Sequence, residues 1–455
     1  MSVEVPAPRR VAFEVLRRTF EQGAYADRVF RAAADREELV GRDRAFAQRL
    51  AYGAVQRRGT ADHFVERLAE REPELIDAPA LAALRLGFYE LLFAASVPDH
   101  AAVSQAVELA KAAAAGRAAG LVNAVLRRAA RERDELLGGL HDRDPRAAAL
   151  MHSVPVWLSE LWWEELGAEG ARSLLAACNE PAEVALRVNT LRADPASVAA
   201  ELRAAGVEIG APDARPPLAA PEMLVLKGPM GPRAVEMIAA GTLTPQSRAS
   251  AAAVEVLDPR PGERVLELCA GPGTKTGAIA ARMQDRGELI AIEVDRRRAD
   301  EVSKQAERLG LRCATVVEAD AADVDLGTAY DRVLVDAPCS DLGTLASRPD
   351  VRWRKSPEAI EGLAELQGRI LANAARAVGP GGTLVYSTCT IARRENEEQV
   401  AGLETGADAA PALAVDDLGA ARPDLAAPDD SRSLLTRPDR DRTTGFFICR
   451  ATRHD

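Results

Sequence analysis

From Ala251 to the C-terminus the chain alternates short apolar runs with amphipathic ones, and this alternation restricts the fold more than any other feature. ERVLELC, ELIAIEV, ATVVEAD, YDRVLVDAP and GTLVYSTC read as strands, while GAIAARM, RADEVSKQAERLG and EGLAELQGRILANAARAV read as helices between them. Strands joined through helices run parallel, because right-handed crossovers lay each helix on a face of the sheet. The fold class is therefore α/β, a doubly wound, Rossmann-like sheet. SLLTRPDRDRTTGFFICR closes the chain as two further strands around a turn, an antiparallel addition to that sheet.

The remainder of the 455 residues leaves room for two or three domains at roughly 150 residues each. Between Val11 and Leu140 apolar residues recur at spacings of three and four in VAFEVLRRTF, RAFAQRLAYGAV, ADHFVERLA, ALAALRLGFYELLFA, AVSQAVELAKA and AAGLVNAVLRRAAR. Gly41, Gly59, Pro73, Pro98 and Gly116 break this helical pattern. Residues 1–140 are thus expected to form an all-helical domain. Its last helix carries Arg117, Arg127, Arg128, Arg131 and Arg133, either a solvated face or a contact for a nucleic-acid backbone. HDRDPR reads as a linker, followed by two Trp-rich helical segments whose tryptophans are expected to anchor the core. VALRVNTL and EMLVLKG read as strands flanking the helix ASVAAELRAAG, before a break at LTPQSRAS. Residues 141–245 are therefore a helical linker and a small α+β unit, and 246–455 the doubly wound domain. Arg187 and Asn189 are expected to face either RNA or solvent.

A net charge of −11 weighs against a polyanionic partner unless local arginine clusters override it. The six cysteines form no pair two residues apart and the five histidines do not cluster with them, which argues against zinc and against a disulfide framework. Cys178, Cys313 and Cys449 are expected in the core. No apolar run approaches the roughly 20 residues of a membrane helix, and MSVEVPAPRR lacks a signal core, so the expected location is cytoplasmic.

The chemistry-bearing residues gather at predicted strand ends. ERVLELC runs into Cys269, Ala270, Gly271, Pro272, Gly273, Thr274 and Lys275, where glycines let a ligand approach the backbone and a helix N-terminus presents free N–H groups. Such loops serve dinucleotide, ATP and methyl-donor sites alike. The next strand ends at Glu293 and Asp295, placed to hold a ribose diol; for Asp295 the favoured reading is a helix cap. Asp320 ends the third strand, as a border for adenine or an ordinary loop aspartate. Asp336 and Cys339 follow the fourth strand and Cys389 ends the fifth, so two thiols and a carboxylate are expected to share one crevice. Methylation of cytosine calls for such a set. A thiolate adds at carbon 6, a carboxyl group assists at N3, and the activated carbon 5 attacks a methyl donor. The same thiols can also be read as structural cysteines at strand ends, and spacing alone does not say which one attacks.

LELCAGPGTKT, DAPCSDLGTLASRPDVRWRKSP and YSTCTIARRENE, with RVNTLR and GFFI, resemble the RsmB (Sun) family of small-subunit ribosomal RNA cytosine-5 methyltransferases, and the resemblance spans nearly the whole chain. The helical start resembles the RNA-binding antitermination factor NusB. The resemblance implies that Cys269 through Lys275 cradle S-adenosylmethionine, that Glu293 takes the ribose, and that Asp320 and Asp336 complete the cofactor site. It further implies Cys389 as nucleophile, Cys339 as the thiol that helps break the adduct, and small-subunit ribosomal RNA as partner; the chain is expected to be a monomer without metal or membrane. Gly271, Thr274, Glu293 and Gln246–Ser247 depart from the common family pattern, and Thr274 leaves the loop path open. Competing readings are methylation of another RNA, such as transfer RNA, and a non-catalytic RNA-binding factor.

Overall fold

Helices built on the three-and-four spacing span Ala7–Gln22, Gly41–Gln56, Arg58–Ala69, Ala78–Leu92, Asp99–Ala113 and Ala119–Arg131 in the computed structural model, which describes residues 5–94, 97–113, 118–210, 217–406 and 410–454. Gly116 and Arg117 lie outside the described residues. The helix Ala26–Arg36 is an addition to the sequence reading. It buries Ala26, Val29, Phe30, Ala33 and Ala34 at the three-and-four spacing of an amphipathic helix, a pattern the sequence reading passes over. Leu16, Leu50, Phe64, Leu84, Phe88 and Leu126 centre one continuous core.

The described chain divides into two units, Met1–Pro181 with Leu345–Arg354, and Ala182–Thr344 with Lys355–Asp455. The helices Pro145–His152 and Val156–Ala177 therefore pack in the first unit. The second of them breaks at Gly167, whose φ of 71° divides it into the two segments expected from sequence. Trp162 is fully buried there, while Trp157 and Trp163 are half-buried. The segment Leu345–Arg354 is held by Arg352, which donates to the carbonyl oxygens of His152, Ser153, Cys178 and Leu345 and to Asn179 Oδ1, and by Trp353 Nε1, which donates to Val55 O.

In the second unit, β1 (Val184–Val188) pairs antiparallel with β2 (Met223–Leu226) and β3 (Leu243–Pro245), in the order β2-β1-β3. The expected break at LTPQSRAS instead supplies β3 and the helix Arg248–Leu257, capped by Ser247. Three residues are too few to show an alternation. Arg187 and Asn189 face neither RNA nor solvent. Both are 2% exposed. Arg187 donates to Gln246 Oε1 at 2.7 Å and to Thr274 O, and Asn189 Nδ2 donates to Gly241 O and Leu309 O. Burial lowers the Arg187 guanidinium to about 10. Both side chains tie the small sheet to helices of the doubly wound domain, Thr274–Arg282 and Arg296–Leu309, a use that strand alternation cannot distinguish from solvent exposure.

The larger sheet holds β4 (Arg264–Leu268), β5 (Glu288–Glu293), β6 (Ala314–Glu318), β7 (Tyr330–Asp336), β8 (Val378–Thr388), β9 (Ala414–Val415), β10 (Leu434–Thr436) and β11 (Phe446–Thr452). Its order is β10-β11-β8-β7-β4-β5-β6, with β9 beside β11. Strands β4 to β8 run parallel, while β11 is antiparallel to β8 and pairs with β10 as the turn signals implied. Cys178 and Cys449 are buried as expected, but Cys313 is half-buried at the edge of the core.

Candidate active site

Register aligns the carboxyl ends of the parallel strands. Leu268 is level with Ile292, Glu293 with Glu318, and Asp336 with Ser387, so the loops after β4, β5, β7 and β8 open on one side. After β4 the chain turns through Cys269 at φ 63° and Gly273 at φ 92°, then enters the nine-residue helix Thr274–Arg282. Thr274 is the first helical residue and lies outside the left-handed region, so its Cβ is accommodated. Gly271 is constrained in another way. A Cβ there would sit 2.5 Å from Glu293 Oε2.

Glu293 is 2% exposed, and its carboxylate accepts the Gly271 N–H at 2.8 Å and the Asp295 N–H at 3.1 Å. Arg298 donates to the Gly271 carbonyl and lies 3.7 Å from Glu293 Oε2. Asp295 caps the helix Arg296–Leu309 by accepting from the N–H groups of Arg297 and Arg298, the cap that the sequence favours. Asp320 is exposed and accepts the Ala322 N–H at 2.9 Å. The Cys269 thiol is pushed up by burial and then by the carboxylates of Glu293, Asp336 and Asp320. Lys275 Nζ donates to Asp336 Oδ2 at 2.7 Å and lies 4.8 Å from the centre of the Phe446 ring, while Ser387 Oγ donates to Asp336 Oδ1 at 3.0 Å.

The two cysteines meet. Cys339 Sγ and Cys389 Sγ are 3.4 Å apart, and Cys389 Sγ also donates to Asp341 Oδ1 at 2.9 Å. Sulfur, carboxylate and sulfur of Cys339, Asp341 and Cys389 lie within 4.8 Å of one another. The hydrogen bond shared with Cys339, burial and the Asp341 charge all hold the Cys389 thiol well above its usual range, in the protonated form. A buried acid fixes both cysteine loops from below. Glu395 accepts from Ser340 N at 2.8 Å, Ser340 Oγ at 2.5 Å and Gln367 Nε2 at 3.1 Å, and its carbonyl accepts Tyr386 OH at 2.6 Å. Ser340 Oγ and Thr390 Oγ1, one residue beyond each cysteine, lie 2.7 Å apart. The sequence reading misses Asp341 and Glu395. Both stand inside motifs quoted above, Asp341 in DAPCSDLGT and Glu395 in YSTCTIARRENE, but residue type alone does not show that either packs against the thiol loops.

The loops after β4, β5, β7 and β8 thus carry a glycine turn, a buried acid and paired thiols at neighbouring strand ends. Residues 254–452 match the family described as 16S rRNA methyltransferase RsmB/F, residues 6–131 the NusB family, and residues 154–231 the ferredoxin-like domain of RsmF/B-like methyltransferases. The chain is 32% identical over 450 residues to the probable ribosomal RNA small subunit methyltransferase B of Bacillus subtilis, covering 97% of each. The chain belongs to the RsmB/F family of 16S rRNA methyltransferases. It is also 34% identical over 398 residues to the probable ribosomal RNA small subunit methyltransferase B of Synechocystis, covering 86% of this chain and 87% of that one. The crystal structure of PH0851 is 26% identical and superposes with a TM-score of 0.83 over 99% of this chain and 100% of its own. An RsmB/F chain thus carries a NusB-like helical start before a Rossmann-like methyltransferase sheet, as the sequence resemblance implied. Among the described residues no helix is long and apolar enough to cross a membrane.

Proposed function

We propose that this protein transfers the methyl group of S-adenosylmethionine to carbon 5 of a cytidine in 16S ribosomal RNA, through a covalent bond from Cys389 Sγ to cytosine carbon 6. The observation that carries this reading is the 3.4 Å pair of Cys339 and Cys389 beside Asp336 at the carboxyl ends of β7 and β8. The cradle suits such a donor. The left-handed turn at Gly273 and the crowding at Gly271 leave backbone, not side chains, facing the crevice, and the N-terminus of Thr274–Arg282 suits a carboxylate. Buried Glu293 keeps lone pairs for a ribose diol, because each oxygen accepts a single backbone N–H. Cys269 through Lys275, Glu293, Asp320 and Asp336 would hold the donor, which supplies an electrophilic methyl group when bound.

The chain's own residues do the rest. Cys389 adds at carbon 6, and Asp336, oriented by Lys275 and Ser387, assists at N3. Carbon 5 then takes the methyl group and loses its proton, and Cys339 aids departure of the Cys389 sulfur. We assign residues 1–140 and 141–245 to RNA recognition and 246–455 to catalysis. Exposed Arg127 and Arg131, four residues apart on Ala119–Arg131, support a phosphate contact.

Two variants test the reading on protein-poor 16S RNA. Cys389→Ala is expected to lose both methyl transfer and any covalent complex. Cys339→Ala is expected to accumulate a protein–RNA complex that survives denaturing electrophoresis while turnover falls. The reverse pattern would assign attack to the Pro-Cys loop, and methyl transfer to transfer RNA with none to 16S RNA would redirect the substrate.

A further inference from the structure

Asp341 has no part in the reaction as written above, yet its Oδ1 is 2.9 Å from the sulfur that attacks. Its backbone sits at φ 61°, the left-handed region where glycine is the default and aspartate is among the better-tolerated exceptions. The short 3-10 turn Leu342–Thr344 follows at once, and there Gly343 N–H donates to the Cys389 carbonyl at 2.9 Å. The loop is thus stitched to Cys389 through the backbone as well as through the carboxylate. Around the sulfur the titratable groups are Cys339 and Asp341 on this loop. Lys355, ahead of the helix Pro357–Ala377, donates to the Cys339 carbonyl at 3.2 Å. Lys275 and Asp336 pair on the neighbouring elements, and Glu395 lies beneath Ser340. Because Cys339 and Asp341 keep the resting thiol protonated, attack on carbon 6 requires a base at the moment of bond formation.

We propose that Asp341 is a catalytic base that takes the Cys389 thiol proton as Sγ bonds to carbon 6, and the acid that returns it when that bond breaks. In the forward step the proton moves to Asp341 Oδ1 and its electron pair stays on sulfur. A sulfur pair forms the bond to carbon 6, the 5,6 π pair becomes a π bond between carbons 4 and 5, and the π pair between carbon 4 and N3 moves onto N3, which takes a proton from solvent. The pair at carbon 5 then takes the methyl group, and the donor keeps the electrons of its broken S–C bond as a neutral thioether. On elimination carbon 5 loses its proton to solvent and the 5,6 double bond re-forms. The Cys389 sulfur leaves with its pair, N3 returns its proton to solvent, and the sulfur recovers the proton held by Asp341.

This proposal rests on the covalent reading above, and the test separates the two. Adduct formation with 16S RNA is followed in the Cys339→Ala background, with and without Asp341→Asn, across the neutral and mildly alkaline range. The parent rate is expected to change little with pH. The Asp341→Asn rate is expected to fall about a hundredfold at neutral pH and to rise about tenfold per pH unit, as hydroxide takes over ionisation of the thiol. Asp341→Glu should recover part of the loss. In the otherwise wild-type chain Asp341→Asn should also speed iodoacetamide alkylation of Cys389 several-fold in mild alkali, because removing the negative charge lowers the thiol pKa. Equal adduct rates and pH profiles with aspartate or asparagine would overturn the proposal. So would slower alkylation together with slower attack, which would make Asp341 a loop support only. Absence of any adduct in the parent would instead overturn the covalent reading itself.

Discussion

Two buried glutamates on neighbouring strands meet different surroundings. Glu293 has both oxygens engaged by backbone N–H groups. Glu267, on β4 and 1% exposed, leaves Oε2 without a hydrogen-bond partner among the described residues. Burial, with the nearby Asp336 charge in the same direction, pushes its carboxyl up to about 8. The folded chain therefore holds a proton that the unfolded chain releases near 4.5, so Glu267 makes stability decline as pH rises from about 4.5 to 8. Glu267→Gln is expected to flatten this decline, with melting temperatures of the two proteins closest at the acid end and furthest apart above pH 8. Parallel curves would show that no such proton is held. The fate of Glu267 is not legible in LELCAG, because a parallel strand covered on both faces gives its acids no polar side to mark.

At the scale of elements, the loop after β7 has little freedom. A Cβ on Gly343 would stand 2.1 Å from Gly445 O and 2.8 Å from Gly445 Cα, and Gly445 N–H donates to the Gly343 carbonyl at 2.8 Å. This clash is backbone against backbone, so no side-chain rotation relieves it. Gly343→Ala should displace the loop bearing Cys339 and Asp341, lowering methyl transfer at least tenfold and stability by about 1–3 kcal/mol in denaturant titration. Wild-type turnover in this variant would show that the turn can yield without moving the thiols. The motif CSDLGT marks this loop as special in sequence. The partner glycine is about a hundred residues later, beyond the reach of local pattern.

At the scale of the whole molecule, the helical unit is completed by a piece of later chain. Arg352 is 0% exposed and answers its burial with backbone carbonyls instead of a carboxylate. Truncation would leave those carbonyls unpaired in the interior, so Arg352→Ala should cost on the order of 3 kcal/mol. Hydrogen exchange should then quicken in Pro145–His152, Val156–Ala177 and Leu345–Arg354 more than in β4 to β8. Uniform exchange throughout would refute a local role. Sequence alone determined the repeating elements, the parallel sheet with its antiparallel end and the reactive motifs, because periodicity, glycine turns and thiol chemistry are local properties. The total charge pointed away from a polyanion, since a sum carries no information about where arginines lie. Tertiary structure decided that Arg187 and Asn189 are internal struts, that Glu395 underpins both cysteine loops, and that Asp341 touches the Cys389 sulfur. Those facts depend on which distant backbone stands opposite each residue, and strand register and loop closure set that only after the chain has packed.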